Sequence, residues 1–511
     1  MRTDFYSACL NSWLGNFAHN VSEILSACAA ADNEGCRFVV TPELSVCGYP
    51  AQDLSIHLKY TDFLRSAKEA LSQIVQESKR WPSLHIFVGN VEEIDLEKYP
   101  KLRNTPHTRE KVANCAYEIL NGRIVRRYVK RDLPNYGVFD DKRVFVSGLE
   151  LDEDFVLEGA QSNIALAICE DIWGDIDLET RNISEETEYL VVLNASPFRT
   201  GIEECRRRAV ERIEQKYHIE VVYVNASGAQ DELVFDGAGF TGSNVEKKYA
   251  ACVVGLKDYC LKNGFDTAVL GLSGGIDSAL VAKMAVTALG AKNVTGILMP
   301  SRYSSRGSVV DALELADNLK MRTLTCGIEP MFDEYLRTLK ASGIESTAVS
   351  EQNVQARIRG NILMFHSNTN GSLVLATGNK SEIAVGYSTI YGDAVGGYAP
   401  LKDVFKTEVF KMAALFDDIP QNIQLKPPSA ELAPGQKDSD SLPDYCDLDS
   451  IIEYLLGISD KPLTDVQNSQ LESVKAMVKR AEWKRQQYPP GPKVSRVSFG
   501  KDWRIPLTFD L

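Results

Sequence analysis

The stretch LGLSGGIDSAL (270–280) decides how this chain is read. An apolar run ends in Ser273-Gly274-Gly275, and IDSALVAKMAVTALG follows with helical spacing as far as Gly290. The pattern is a buried strand, a tight turn and a helix N-terminus. The two glycines let the backbone approach an anion and turn amide N–H groups toward it. The helix start adds partial positive charge. The Ser273 and Ser278 hydroxyls can donate to phosphate oxygens. Asp277 helps only when a cation lies between it and phosphate, so Mg2+ is implied. The GxxxxGK[ST] loop of ordinary nucleotide hydrolases is a different arrangement.

Outward from that turn the pattern repeats. VTGILMP (294–300), RTLTCGI (322–328) and SLVLATGN (372–379) read as further strands. Between them SVVDALELADNLKM (308–321) reads as a helix, with Ser308 and Asp311 at capping-box spacing. Alternating strands and helices over 247–511 predict a doubly wound parallel sheet with its ligand at the strand C-termini. LKPPSAELAPGQKDSDSLPDY (425–445) predicts an ordered loop or mobile flap, and 464–487 a long helix.

Residues 1–242 carry a different α/β pattern. RFVVTPE (37–43), LHIFVGN (84–90), NIALAIC (163–169), YLVVLNA (189–195) and EVVYVNA (220–226) read as buried strands. AYEILNGRIVRRYVK (116–130) reads as a hairpin turning at Asn121-Gly122. Three strand ends carry reactive side chains: Glu43, Lys130 and Cys169. A lone buried cysteine is seldom catalytic, but a base, a cation and a thiol at adjacent strand ends can share one pocket.

Bulk properties set limits. The chain has 511 residues, with 70 acidic and 56 basic side chains and a formal charge of −14. That length suits two or three domains. An acidic chain is a poor partner for nucleic acid or anionic membrane, so neither is expected. The 11 cysteines include no CxxC pair, and the opening MRTDFYSACLNSW lacks a leader pattern, which predicts a cytoplasmic protein with reduced thiols.

Resemblance adds to this reading. SGGIDS is similar to the loop of the ATP pyrophosphatases, a group that includes GMP, asparagine and NAD synthetases and tRNA thiolases. MPSRYSSRGSVVDALELAD (299–317), SEQNVQARIRGNILMFHSN (350–368), LATGNKSEIAVGYSTIYGDAVGGYAPLKDVFKTEV (375–409) and EWKRQQYPPGPKVSRVSFGKDWRIP (482–506) resemble NAD synthetases in particular. VVTPELSVCGYP (39–50), YVKRDLPNYGVF (128–139), LAICEDIW (166–173) and NASPF (194–198) resemble the nitrilase-type glutaminase domain of the glutamine-dependent members.

The resemblance implies an α-β-β-α sandwich over 1–242, the doubly wound sheet over 247–511, and amidation of deamido-NAD to NAD through an adenylate. AMP and diphosphate would be released, and glutamine would supply ammonia through an internal channel. It implies catalytic roles for Glu43, Lys130 and Cys169, and glutamine contacts from Tyr136, Ser196 and Phe198. ATP would meet Gly271, Ser273, Gly274, Gly275, Asp277, Ser278, Thr377 and Lys406, with Asp277 and Glu382 holding Mg2+. Deamido-NAD would meet Asn353, Arg357, Glu382, Asp393 and Lys484. Arg359 and Arg485 are further candidates for its phosphates or carboxylate, and Asp393 with Lys406 is expected to form a phosphate-and-metal pair. A homo-oligomer is implied.

The sequence departs from the family in three places. Ile202 stands where a basic residue is usual, and Ala481 where Asn is usual. DGAGFTGSN (236–244) runs directly into a synthetase-like helix, so the last nitrilase strands and linker are missing. The chain is then either a shortened active variant or a synthetase whose first half is a scaffold, an ammonia-dependent enzyme with an inactive module. Loss of those strands predicts an exposed sheet edge.

Overall fold

Asn121 and Gly122 both take left-handed backbone, at φ 45° and 80°. Their turn joins strands β4 (Val112–Leu120) and β5 (Arg123–Val129) as the expected antiparallel hairpin. The computed structural model describes residues 4–55, 62–104, 112–151, 154–174 and 183–508. Met1–Thr3, part of the stretch read for a leader, lie outside the described residues.

The chain divides into two units, one of residues 1–230 and 234–240, the other of 231–233 and 241–511. In the first, β1 (Phe5–Ser7), β2 (Phe38–Val40) and β3 (His85–Glu93) pair in parallel. β4, β5 and β6 (Phe155–Val156) continue the sheet antiparallel, giving six strands in chain order. A second, parallel sheet holds β7 (Ile164–Ile168), β8 (Tyr189–Asn194) and β9 (Glu220–Asn225). A short pair, β10 (Ser227–Gln230) and β11 (Leu233–Asp236), follows.

Strand alternation builds the layers. Ile164, Leu166 and Ile168 of β7, with Val191 and Leu193 of β8, pack on Val40, Phe87 and Tyr128 of the first sheet. Ala165, Ala167, Leu190 and Val192 point the other way, onto Ala209 and Ile213 of helix Ile202–Tyr217. The outer face of the six-stranded sheet is covered by Val21, Ile24, Ala70 and Ile74 of helices Phe17–Asn33 and Phe63–Glu77. This is the expected α-β-β-α sandwich. A fully buried aliphatic side chain contributes about 1.5–3 kcal/mol, whereas a pair such as Arg207–Glu204 lies on the surface, where solvent screens it. The two sheets are therefore held by apolar burial.

In the second unit, β12 (Ala268–Gly271), β13 (Val294–Leu298), β14 (Arg322–Thr325) and β15 (Leu373–Val374) form a fully parallel sheet in the order β14-β13-β12-β15. Val269, Ile297 and Val374 pack with Phe332 and with Ile358 and Leu363 of helices Glu329–Ala341 and Ala348–Asn370. The order reverses beside β12, so a ligand crevice opens where SGGIDS leaves the sheet.

Local expectations are corrected in four places. RFVVTPE is strand only over Phe38–Val40, because Thr41–Ser45 turns on its own hydrogen bonds, including Thr41 Oγ1 to Ser45 Oγ at 2.6 Å. The helix after β13 starts earlier, at Arg306, and its cap is Ser305, whose hydroxyl accepts from Ser308 N. Ser308 and Asp311 instead meet Lys426 at 3.0 Å. The stretch 464–487 is two helices, Asp465–Arg480 and Glu482–Arg485, separated at Ala481. Residues 425–445 form an ordered loop, pinned by Gln355 Nε2 on Leu432 O and by Glu431 on Ser305 and Ser308.

The sheet edge follows expectation. β8 is buried throughout, while β9 exposes Glu220 and leaves Val221–Tyr223 half-buried. Among the described residues, no helix is long and apolar enough to cross a membrane.

Candidate active sites

In the first unit Glu43 follows β2, Lys130 follows β5 and Cys169 follows β7. Lys130 Nζ lies 2.7 Å from Glu43 Oε1 and 2.7 Å from Asp141 Oδ2. Asn114 Nδ2 also donates to Glu43 Oε1, at 2.7 Å, and Ala195 N donates to Oε2 at 3.2 Å. All four side chains are buried. A carboxylate with this many donors keeps one orientation.

Cys169 heads a short 3-10 turn with φ 41°, left-handed backbone that a side chain rarely adopts. Asp171 holds that turn. Its carboxylate accepts from Ile168 N at 2.9 Å and Tyr128 Oη at 2.8 Å, and from Arg131 N and Asp132 N at 3.1 and 2.8 Å. It thereby ties the turn bearing Cys169 to the loop carrying Lys130.

Electrostatics assign the proton. Burial pushes the Cys169 thiol well above its ordinary value; Glu43 pushes it further and Lys130 opposes. The resting group is therefore a thiol. Burial also raises Glu43 against the pull of Lys130, so its carboxylate is a stronger base than an exposed glutamate. Burial alone would lower Lys130, but Asp141 and Glu43 outweigh it and keep the ammonium charged.

Tyr136 is exposed, and its hydroxyl lies 2.9 and 3.0 Å from the two carboxylate oxygens of Glu170, the residue after Cys169. Ser196 and Phe198 follow Ala195 but point into structure. Arg206 Nε donates to Ser196 Oγ at 3.2 Å, and Phe198 is buried edge-on against Phe240, centroids 5.2 Å apart. Sequence reasoning missed Asp141, Asn114 and Asp171. Asn114 had a signal: it is a buried polar residue inside an apolar strand, VANCAYEIL.

In the second unit Gly271 ends β12 and the next turn is closed by its own hydroxyls. Ser273 Oγ and Ser278 Oγ are 3.0 Å apart; Gly275 N donates to Ser273 Oγ at 3.1 Å, and Ser278 Oγ to Gly275 O at 3.0 Å. Gly274 has φ 77°, and a Cβ there would strike the Ser308 carbonyl, so this glycine serves close packing of the turn on the next helix. Gly275 caps helix Ile276–Leu289, whose first turn holds Asp277.

Lys406 Nζ bridges Asp277 Oδ2 and Glu382 Oε1, the latter at 3.2 Å. Asn379 Nδ2 donates to Asp277 Oδ1 at 2.8 Å, while its oxygen caps the helix bearing Glu382. Burial raises Glu382 to about 7 despite Lys406, with Asp277 adding to the rise. Thr377 sits half-buried at the exit of β15, one residue before Gly378.

The dinucleotide candidates form a separate group. Asn353 Oδ1 accepts from Thr389 Oγ1 at 2.7 Å, and Thr389 N donates to Asp393 Oδ1 at 2.8 Å. Arg357 Nε donates to Ile390 O at 3.2 Å. Lys484 Nζ rests on the carbonyls of Gly386 and Ser388 at 2.8 and 2.7 Å; burial lowers its pKa and Asp393 opposes. Arg359 donates to Met299 O at 3.0 Å, and burial lowers it to about 10.

Two expectations are corrected. Asp393 does not pair with Lys406; Lys406 is taken by Asp277 and Glu382, and the ammonium whose charge reaches Asp393 is that of Lys484. Arg485 is structural, buried on Glu482 and on the Ala384 and Val478 carbonyls. Ala481 packs on Gly386, where an added Cβ at 386 would lie 2.8 Å from the Ala481 methyl.

The carbon-nitrogen hydrolase family model matches residues 7–207 and the NAD synthase model residues 248–488. The glutamine-dependent NAD(+) synthetase of Thermotoga maritima is 35% identical, over 98% of this chain and 97% of its own. That of Synechocystis is 37% identical with the same coverage. The Thermotoga alignment spans 584 positions against 511 residues here, so that relative carries residues without a counterpart in this chain. Among solved structures, the glutamine-dependent NAD+ synthetase of Acinetobacter baumannii in complex with ADP matches with TM-score 0.73 and 30% identity, covering 98% of both chains. One from Cytophaga hutchinsonii shares the fold, with TM-score 0.79 at 20% identity and 98% and 96% coverage. With a carbon-nitrogen hydrolase half, an NAD synthase half and relatives of this identity over nearly its whole length, the chain belongs to the glutamine-dependent NAD synthetases.

Proposed function

We propose a division of labour for glutamine-dependent NAD synthesis in which each unit's carboxylate-clamped lysine serves one half-reaction. The observation that carries it is the convergence of Glu43, Lys130 and Asp141 beside Cys169, in a chain whose second unit gathers Asp277, Glu382 and Lys406. Cys169 Sγ attacks the glutamine amide carbon while Glu43 takes the thiol proton. Lys130 faces the developing oxyanion. Glu43 returns the proton to the leaving ammonia, and water attacking the thioester releases glutamate. Of the residues expected to meet glutamine, exposed Tyr136 beside Glu170 would contact it directly, whereas Ser196 and Phe198 would act through the backbone that follows Ala195.

In the second unit Ser273, Ser278 and the helix start would receive the triphosphate of ATP, with Gly271, Gly274, Gly275 and Thr377 shaping the crevice. Asn353, Arg357, Asp393 and Lys484 would hold deamido-NAD. An oxygen of its nicotinate carboxylate attacks the α-phosphorus and diphosphate leaves. Ammonia then displaces AMP from the acyl carbon to give the amide. Lys406 places positive charge where diphosphate departs.

Asp277 and Glu382 offer hard oxygen donors from the first turns of two helices, a set that suits Mg2+. Bound there, Mg2+ would supply charge neutralisation on the phosphates. A homo-oligomer fits the exposed Tyr335, Val349 and Phe365 on two helices of the second unit, and a cytoplasmic setting fits 11 cysteines that are all free.

The scaffold alternative has the assembled triad against it: an idle domain has no need to keep two carboxylates and a lysine buried around a strained cysteine. The reading is tested by phosphorus NMR of turnover with ATP and deamido-NAD. AMP and diphosphate are expected; ADP and orthophosphate would contradict it.

A further inference from the structure

Tyr488 stands apart from the other tyrosines near this site. Its side chain is more than nine-tenths buried, and its hydroxyl has no hydrogen-bond partner among the described residues. Tyr387 and Tyr445, by contrast, both donate to Asp438. The Tyr488 ring packs with Ala376, Ile383, Ala394 and Ala399. Its backbone is fixed on both sides: Tyr488 N donates to Arg485 O at 3.1 Å, and Pro490 O accepts from Ala399 N at 2.8 Å. The hydroxyl rests against Gly378, where any Cβ would collide with it, and Glu382 Oε2 lies 3.9 Å from that same Cβ position. Glycine at 378 therefore makes room for the phenol beside the metal-binding carboxylate.

A buried hydroxyl without a partner costs roughly 1–3 kcal/mol, so its retention at a ligand crevice points to an oxygen that arrives with the ligand. The surroundings say which kind. Burial and the charges of Asp393, Glu382 and Asp277 keep the phenol protonated, so it can only donate to an incoming anion. We propose that Tyr488 is a substrate-binding residue whose hydroxyl donates a hydrogen bond to the phosphate chain of ATP beside Glu382. The inference rests on the reading of Asp277, Glu382 and Lys406 as the ATP site.

The test is Tyr488→Phe, which removes one oxygen and keeps the ring packing. Thermal melting of the full-length enzyme is followed against ATP with Mg2+, without dinucleotide so that no turnover occurs. Without ligand, the variant melts at the same temperature as the parent or higher, because an orphaned polar atom has been removed. Its ATP affinity falls about ten- to a hundred-fold, the loss of a hydrogen bond to a charged group. A parallel arm titrates deamido-NAD alone and leaves its affinity unchanged. Lower melting without ligand, unchanged ATP affinity, or a loss confined to the deamido-NAD arm each overturns the proposal. Lys406→Met separates the two levels: if it too binds ATP like the parent, the ATP-site reading fails; if it loses ATP while Tyr488→Phe does not, only the role of Tyr488 fails.

Discussion

Both units place a lysine between two carboxylates, yet the two clamps differ. Lys130, Glu43 and Asp141 are sealed, with side chains 1%, 1% and 6% exposed. Around Lys406 the carboxylates of Asp277 and Glu382 are 18% and 16% exposed. The closed clamp is assembled before its substrate arrives, as a covalent step needs. In the proposed reading the open one keeps its carboxylates for a charged ligand, with lysine as the cation until that ligand binds. Both clamps pair their charges; what separates them is how far the carboxylates reach solvent.

The largest expected effect breaks the symmetry between the clamps. Lys130→Met strands two buried carboxylates and should cost about 3–5 kcal/mol of stability. Lys406→Met leaves carboxylates that reach solvent and should cost about 1–2 kcal/mol. Denaturant melts measure both. Activity should divide the other way: ammonium-fed NAD formation falls about 100- to 1,000-fold in Lys406→Met and stays near parent level in Lys130→Met. Equal stability losses would erase the distinction.

Asp171→Asn sharpens the account of the closed clamp. Asn cannot accept four hydrogen bonds at this position, so the turn bearing Cys169 shifts relative to Lys130. Glutamine-driven kcat/KM should fall about 10- to 100-fold while ammonium-driven activity holds; a fall in both would make Asp171 a general stability residue.

A smaller effect is pH dependence at the open clamp. The folded pKa of Glu382 is about 7, above its ordinary 4.5. Between those values the folded protein keeps a proton that the unfolded chain has lost. This contribution to stability is full at low pH, falls as pH rises through that window and levels off above about 7. Mg2+ needs the carboxylate, so affinity for Mg2+ with ATP should rise up to about tenfold per pH unit below about 7, then flatten. Titrations of Mg2+ at fixed ATP from acid to neutral pH check this, and a flat profile would contradict it.

Much of this was legible in sequence because strands announce themselves locally. The alternation in NIALAIC and YLVVLNA fixes which residues face which layer, and Asn121-Gly122 fixes a turn. Glu43, Lys130 and Cys169 stood at strand ends and could be named. Asp141 could not, because it follows a loop with no period and meets Lys130 only through tertiary packing. The pairing of Lys406 with Asp277 and Glu382 joins residues more than 100 positions apart in part, and the family resemblance points to Asp393 instead. Arg485 looked like a free cation, yet two carbonyls and Glu482 claim it.

The most direct test of two clamps with separate tasks is Cys169→Ala, assayed for NAD with glutamine and, in parallel, with ammonium. The account predicts that glutamine-driven synthesis disappears while ammonium-driven synthesis persists. Equal loss of both, or survival of the glutamine-driven reaction, would contradict it.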